Sequence, residues 1–184
     1  MKKKVIIVTD GDKVAKSCVE KAAEKLNLRC ISSSAGNPTE LEGKEIKDLV
    51  MESEGLTVLV MVDDRGRAGQ GKGERVTEYL VNQEDIEIIG ALAVASNSPA
   101  VEPINPDKSI TLTGDFVSHG VDKDGVEVSD NKIYGDTVEN LESLGIDNII
   151  GIGDIGKMCG KDSIAEGVPV TIKAIEEILK INGV

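Results

Sequence analysis

Thr57-Val58-Leu59-Val60-Met61-Val62-Asp63-Asp64 decides the fold. No charge interrupts the run before Asp63, so neither face of the extended chain is left for water, and the stretch reads as a strand buried on both sides. Residues 4–9, 87–95 and 148–152 have the same continuous apolar character, and residues 28–32 supply a shorter strand. Between them the period changes. Residues 12–27 place Val14, Cys18, Val19, Ala22 and Leu26 at helical spacing. Thr39 followed by Glu42 forms a capping-box signature for a helix running to about residue 52. Further helices are predicted over 73–82, 136–144 and 169–181.

Strands alternating with helices predict a parallel sheet covered on both faces. The fold class is α/β: a three-layer, Rossmann-like or flavodoxin-like domain with five parallel strands. Residues 1–184 are read as a single domain with an excursion at 96–131, between the fourth and fifth strands. Pro99, Pro103 and Pro106, then Gly114, Gly120 and Gly125, mark that excursion as irregular or hairpin-bearing, with β-like pieces at 110–113 and 126–128.

Composition removes several functions. A net charge of -12 repels nucleic acid at long range. Tyr79, Tyr134 and Phe116 are the whole aromatic set, too few for a base-stacking platform. No apolar run approaches the roughly 20 residues that span a bilayer, and no secretory leader is expected. Lys2-Lys3-Lys4 reads as a solvated end. Cys18, Cys30 and Cys159, odd in number and far apart, point to reduced thiols in a cytosol-like compartment.

In parallel sheets the loops leaving the carboxyl ends of the strands converge on the ligand site. Here those loops carry Thr9, Asp10 and Asp12, then Ser34, Gly36 and Asn37, then Asp63 and Asp64, then Ser96 and Asn97, then Gly153, Asp154 and Gly156. Carboxylates gathered without basic partners repel one another unless a cation offsets them. Asp10, Asp12, Asp63, Asp64 and Asp154 are therefore candidate ligands for a divalent cation, Mg²⁺ or Ca²⁺. Taken singly, each has a plainer use: Asp12 as a helix cap, Asp10 as a turn acceptor, Asp63 or Asp64 as cap or solvated side chain.

Arg65, Arg67 and Lys72 stand among four glycines between residues 65 and 73, a loop able to fold over an anion or to remain solvated. It lacks the Gly-Lys-Ser/Thr ending of a phosphate-binding P-loop. Gly151 to Gly156 contains Gly-x-Gly-x-x-Gly, read as a tight turn because no helix follows at once. His119, the one histidine, is read as an exposed loop residue.

Taken in order, VTDGD (8–12), SAGNPT (34–39), DDRGRAGQGKGE (63–74), AVASNS (93–98), HGVDKDG (119–125), YGDTVENL (134–141) and GIGDIGKM (151–158) resemble the stage V sporulation protein AE family in its hydrophilic form. The resemblance implies an accessory subunit, without catalytic residues of its own, of the inner-membrane machinery that moves dipicolinic acid and Ca²⁺ during sporulation and germination. It implies other stage V sporulation proteins as partners and a soluble location in the developing spore, at most peripheral to the inner membrane. A homodimer is compatible with it. Dipicolinate is a dianion, so a chain this acidic would hold it through a bound cation or the 65–72 loop. The alternative is an enzyme: the acidic turn after the first strand and Asp63-Asp64 after the third are loosely similar to a topoisomerase-primase metal site. That similarity would mean Mg²⁺-dependent phosphoryl transfer or phosphate hydrolysis.

Overall fold

The computed structural model describes residues 2–66, 70–97 and 101–184. Its elements are β1 (Lys3–Val8), α1 (Lys13–Leu26), β2 (Arg29–Cys30), α2 (Gly43–Glu52), β3 (Thr57–Met61), α3 (Lys72–Val81), β4 (Ile86–Val94), β5 (Lys108–Ile110), β6 (Phe116–Val117), β7 (Ile149–Ile152) and α4 (Pro169–Ile181). The strands form one sheet in the order β2-β3-β1-β4-β7-β5-β6. Every pairing is parallel except β5 with β6.

The unbroken apolar runs split into two cores by strict alternation. Ile6 and Val8 of β1, Leu59 and Met61 of β3, and Leu92 and Val94 of β4 pack beneath Ala15, Cys18 and Ala22 of α1 and Ala174, Ile175 and Ile178 of α4. Val5, Ile7, Val58, Val60, Ala91 and Ala93 point the other way, onto Ile46 and Val50 of α2 and Val76 and Leu80 of α3. Each fully buried Val, Leu or Ile side chain is worth about 1.5–3 kcal/mol. A two-faced strand therefore outweighs the modest β-propensity of any one residue.

Among the described residues seven strands replace the five expected, and the additions come from the excursion. β5 joins the sheet beside β7, with Lys108 opposite Ile150 and Ser109 opposite Gly151. Gly151 permits this approach, because a Cβ there would lie 2.6 Å from Ile133 Cδ1 and 2.5 Å from Ser109 Oγ. The β-like piece at 126–128 makes one isolated bridge, Val121 with Glu127. The sheet order also differs from the 3-2-1-4-5-6 and 2-1-3-4-5 orders of the common doubly wound folds.

Two local expectations are corrected. Residues 136–144 form successive turns rather than a helix. Their polar side chains serve neighbours instead: Thr137 Oγ1 accepts from the Asp64 amide at 3.0 Å, and Asn140 Nδ2 donates to the Glu74 carbonyl at 3.0 Å. The capping box belongs to Glu42 and Glu45, whose carboxylate accepts from the Glu42 amide at 2.8 Å. Thr39 is buried and its hydroxyl accepts from the Asp63 amide at 2.9 Å, tying the β2–α2 connection to the end of β3.

Candidate binding cleft

Beyond Val8 the chain must leave β1 while staying pinned between β3 and β4. Thr9 fastens it to β4 with one hydroxyl, donating to the Leu92 carbonyl at 3.2 Å and accepting from the Val94 amide at 2.9 Å, while the Val62 amide beyond β3 donates to the Val8 carbonyl at 2.9 Å. Asp12 caps α1, its Oδ1 accepting from the amides of Val14 at 2.7 Å and Ala15 at 2.8 Å. Asp10, 9% exposed, accepts from the Asp12 amide at 3.1 Å through Oδ1.

At the end of β3, Asp63 bridges two loops. Its Oδ2 accepts from the Gly11 amide at 3.1 Å and its Oδ1 from the Arg65 amide at 2.7 Å. Gly11 has to be glycine: a Cβ would overlap the Gly36 carbonyl oxygen and come within 3.1 Å of Asp63 Cβ. Gly11→Ala should therefore push the two loops apart at a cost of about 1–3 kcal/mol, read by chemical denaturation. Unchanged stability would show that the loops are not in contact.

These loops enclose a cavity of about 240 Å³ lined by Thr9, Asp10, Asp12, Asn37, Asp63, Ser96, Asn97 and Asp154, all expected from sequence. Three further charged residues line it that sequence reasoning did not assign: Lys123, Asp136 and Lys157. Lys157 corrects the expectation that the carboxylates lack a basic partner. Its ammonium lies 3.1 Å from Asp12 Oδ2 and 2.9 Å from Asp154 Oδ2. Its spacing of three residues from Asp154 was the available signal. Asp136 accepts the Gly66 amide and so holds the 136–145 turns against the end of β3.

The remaining candidates stand elsewhere. Asp64 is 1% exposed and caps α3, accepting from the amides of Gly73 at 2.6 Å and Glu74 at 3.2 Å. With Arg65, Lys72, Arg75 and Pro38 it lines a separate hollow of about 440 Å³. Lys72 pairs there with Glu42 at 3.1 Å. Ser34 holds the end of β3, its hydroxyl accepting from the Met61 amide at 2.9 Å. Gly36 packs on Gly11, Gly153 on the backbone of Gly125, and Gly156, at φ +80, on Cys18. Arg67 lies outside the described residues. His119 is exposed and meets Glu127 Oε1 at 2.8 Å through Nδ1.

Burial pushes the Asp10 carboxyl up to about 8, with the charges of Asp12, Asp154 and Asp63 adding to it against the Asp12 amide. Burial likewise pushes Asp63 up to about 6, helped by Asp136 and Asp64 and opposed by the Arg65 and Gly11 amides. Lys157 is partly buried, which weakens its hold on the proton, yet Asp154 and Asp12 together make the ammonium hold it more tightly than usual. Among the described residues no three His, Cys, Asp or Glu side chains are grouped to hold a metal ion. Lys157 already stands between Asp12 and Asp154, and Asp64 serves α3.

The fold and cleft together define a class: an α/β protein with a mostly parallel sheet and a small, charged hollow at the carboxyl edge, built of fixed backbone contacts with no nucleophile–histidine pairing among the described residues. The chain belongs to the stage V sporulation protein AE1 family, whose model matches residues 4–182. It is thus a sporulation protein, and no helix among the described residues is long and apolar enough to cross a membrane. Neither a curated protein nor a solved structure matches it.

Proposed function

We propose that this chain, a single three-layer Rossmann-like domain, is a non-catalytic accessory subunit of the spore inner-membrane machinery for dipicolinic acid and Ca²⁺ uptake and release. It works from the aqueous side of the membrane, held by other stage V sporulation proteins, in the developing and the germinating spore. The observation that carries this reading is the family match over residues 4–182. The absence of a membrane-crossing helix among the described residues supports attachment through partners. An accessory role does not require this chain to carry dipicolinate itself, and a cleft with five carboxylates and two lysines is poorly matched to a free dianion.

Spores lacking the chain, complemented with wild type or with an Asp10/Asp63/Asp154 triple alanine variant, test this. Deletion is expected to lower dipicolinate content or slow its release, while the triple variant still co-purifies with stage V partners but fails to restore release. Normal uptake and release in the deletion strain would contradict the role.

A second reading is favoured by one observation: Asp10 and Asp63 hold protons unusually well inside a cleft, as general acids and bases do. It assigns the site to Mg²⁺-dependent phosphoryl transfer. A phosphatase and nucleotide-hydrolysis screen with Mg²⁺ and with partners present separates the two readings, since the accessory role requires no turnover.

A further inference from the structure

A second cavity of about 240 Å³ adjoins the charged one and shares Ala95, Ser96, Asn97 and Lys123 with it. Its own walls are different: Val121, Val128 and Tyr134 bring apolar surface. Tyr134 is 44% exposed, whereas Phe116 is covered by Lys108 and Lys173, 5.5 and 5.6 Å from its ring centre. The junction is rigidly built. The Ser96 amide donates to the Tyr134 carbonyl at 2.8 Å, and the Asp154 amide donates to the Lys123 carbonyl at 2.7 Å. Each bond joins a wall of one compartment to a wall of the other.

In the charged compartment Lys157 engages Asp12 and Asp154. Asp10, Asp63 and Asp136 remain, and among the described lining residues Lys123 is the cation left to offset them. Asp10 is nine-tenths buried, and no donor among the described residues reaches its second oxygen, although the side chain lines the cavity. That oxygen and the Asp63 carboxylate suit an incoming N–H donor that carries positive charge.

We propose that the two compartments form one binding site for a small organic cation, an ammonium or guanidinium head seated against Asp10 and Asp63 and an apolar or aromatic body lying against Tyr134, Val121 and Val128. The proposal rests on the reading of the strand-end cleft as a ligand site and is independent of any spore-membrane partner. The head would exchange its water for carboxylate oxygens, and the body would cover apolar wall that is otherwise wet.

Phenethylamine is the probe, followed by amide chemical-shift changes in the whole chain at about pH 8.5, where Asp10 has given up its proton and the amine still carries its own. Ethylamine serves as head alone, 2-phenylethanol as the neutral analogue and phenylacetate as the anion. Phenethylamine is expected to shift amides around both compartments and ethylamine those of the charged one only. Asp63→Asn should weaken phenethylamine roughly tenfold, for a lost charge-assisted hydrogen bond, and Tyr134→Ala several-fold. Lys123→Met should tighten it, a change of sign that a merely unfolded variant cannot produce. Phenylacetate binding as well as the amine, no shifts at the cleft, or phenethylamine binding unaffected by Tyr134→Ala would each overturn the proposal. Spore dipicolinate, measured in the same variants, reports separately on the accessory role.

Discussion

Asp162→Ala is expected to destabilise the protein by about 3–5 kcal/mol, combining a lost helix cap with buried donors left unmet. α4 begins badly on its own: Val168, in the left-handed region at φ 53, provides no side-chain cap. Asp162, fully buried, supplies the cap from six residues upstream. Its Oδ1 accepts from the amides of Val170 at 2.9 Å and Thr171 at 3.0 Å, and its Oδ2 from the Thr171 hydroxyl at 2.6 Å and the Gly156 amide at 3.2 Å. The last bond matters for the cleft, since Gly156 lies between Asp154 and Lys157 in the loop that closes one wall. Truncation should lower the melting temperature by about 10 °C in a chain of this size and loosen that wall. Asp162→Asn, which keeps an acceptor, should cost distinctly less. A loss under about 1 kcal/mol for the alanine variant would mean that α4 is capped by other means.

The second large effect depends on pH. An unfolded Asp releases its proton near 3.8, whereas folded Asp10 keeps it to about 8. Between those values the folded state binds more protons than the unfolded state, so stability contributed by the protonated Asp10 is present at low pH and lost as pH rises toward 8. Asp63 adds a similar slope up to about 6, and Glu74, pushed up by burial and by Asp64 and Glu139, another up to about 7. Asp10→Asn removes the first contribution while keeping an acceptor for the Asp12 amide. The variant should be more stable than wild type by about 5 kcal/mol at pH 8 and nearly equal to it at pH 4. Denaturation midpoints across pH 4–8 measure the difference, and parallel curves would show that Asp10 is solvated.

Much of this architecture could be read from residue order because its signals are local and long. The apolar runs of β1, β3, β4 and β7 need no partner to be recognised, and Pro169 to Ile181 marks α4 at both ends. β5 and β6 are three and two residues long, and β5 owes its place to a pairing with Gly151, distant in sequence, so the β-like piece expected at 110–113 meets β5 only at Ile110 and β6 is not announced. Residues 136–144 have helical spacing at Val138 and Leu141, but Thr137 and Asn140 bond to other segments and break the regular ladder. In the cleft, Asp10, Asp63, Ser96, Asn97 and Asp154 were legible because a parallel sheet puts all its strand ends on one edge. Lys123 and Asp136 were not, for they arrive from the excursion and from those turns.

The most direct test is a ¹³C titration of the aspartate side-chain carboxyls. Strand-end loops that converge and bury the Asp10 and Asp63 carboxyls require Asp10 to titrate near pH 8 and Asp63 near 6, both far above an exposed aspartate. If both instead titrate near 4, the carboxyls stand apart in water and the cleft does not exist in solution.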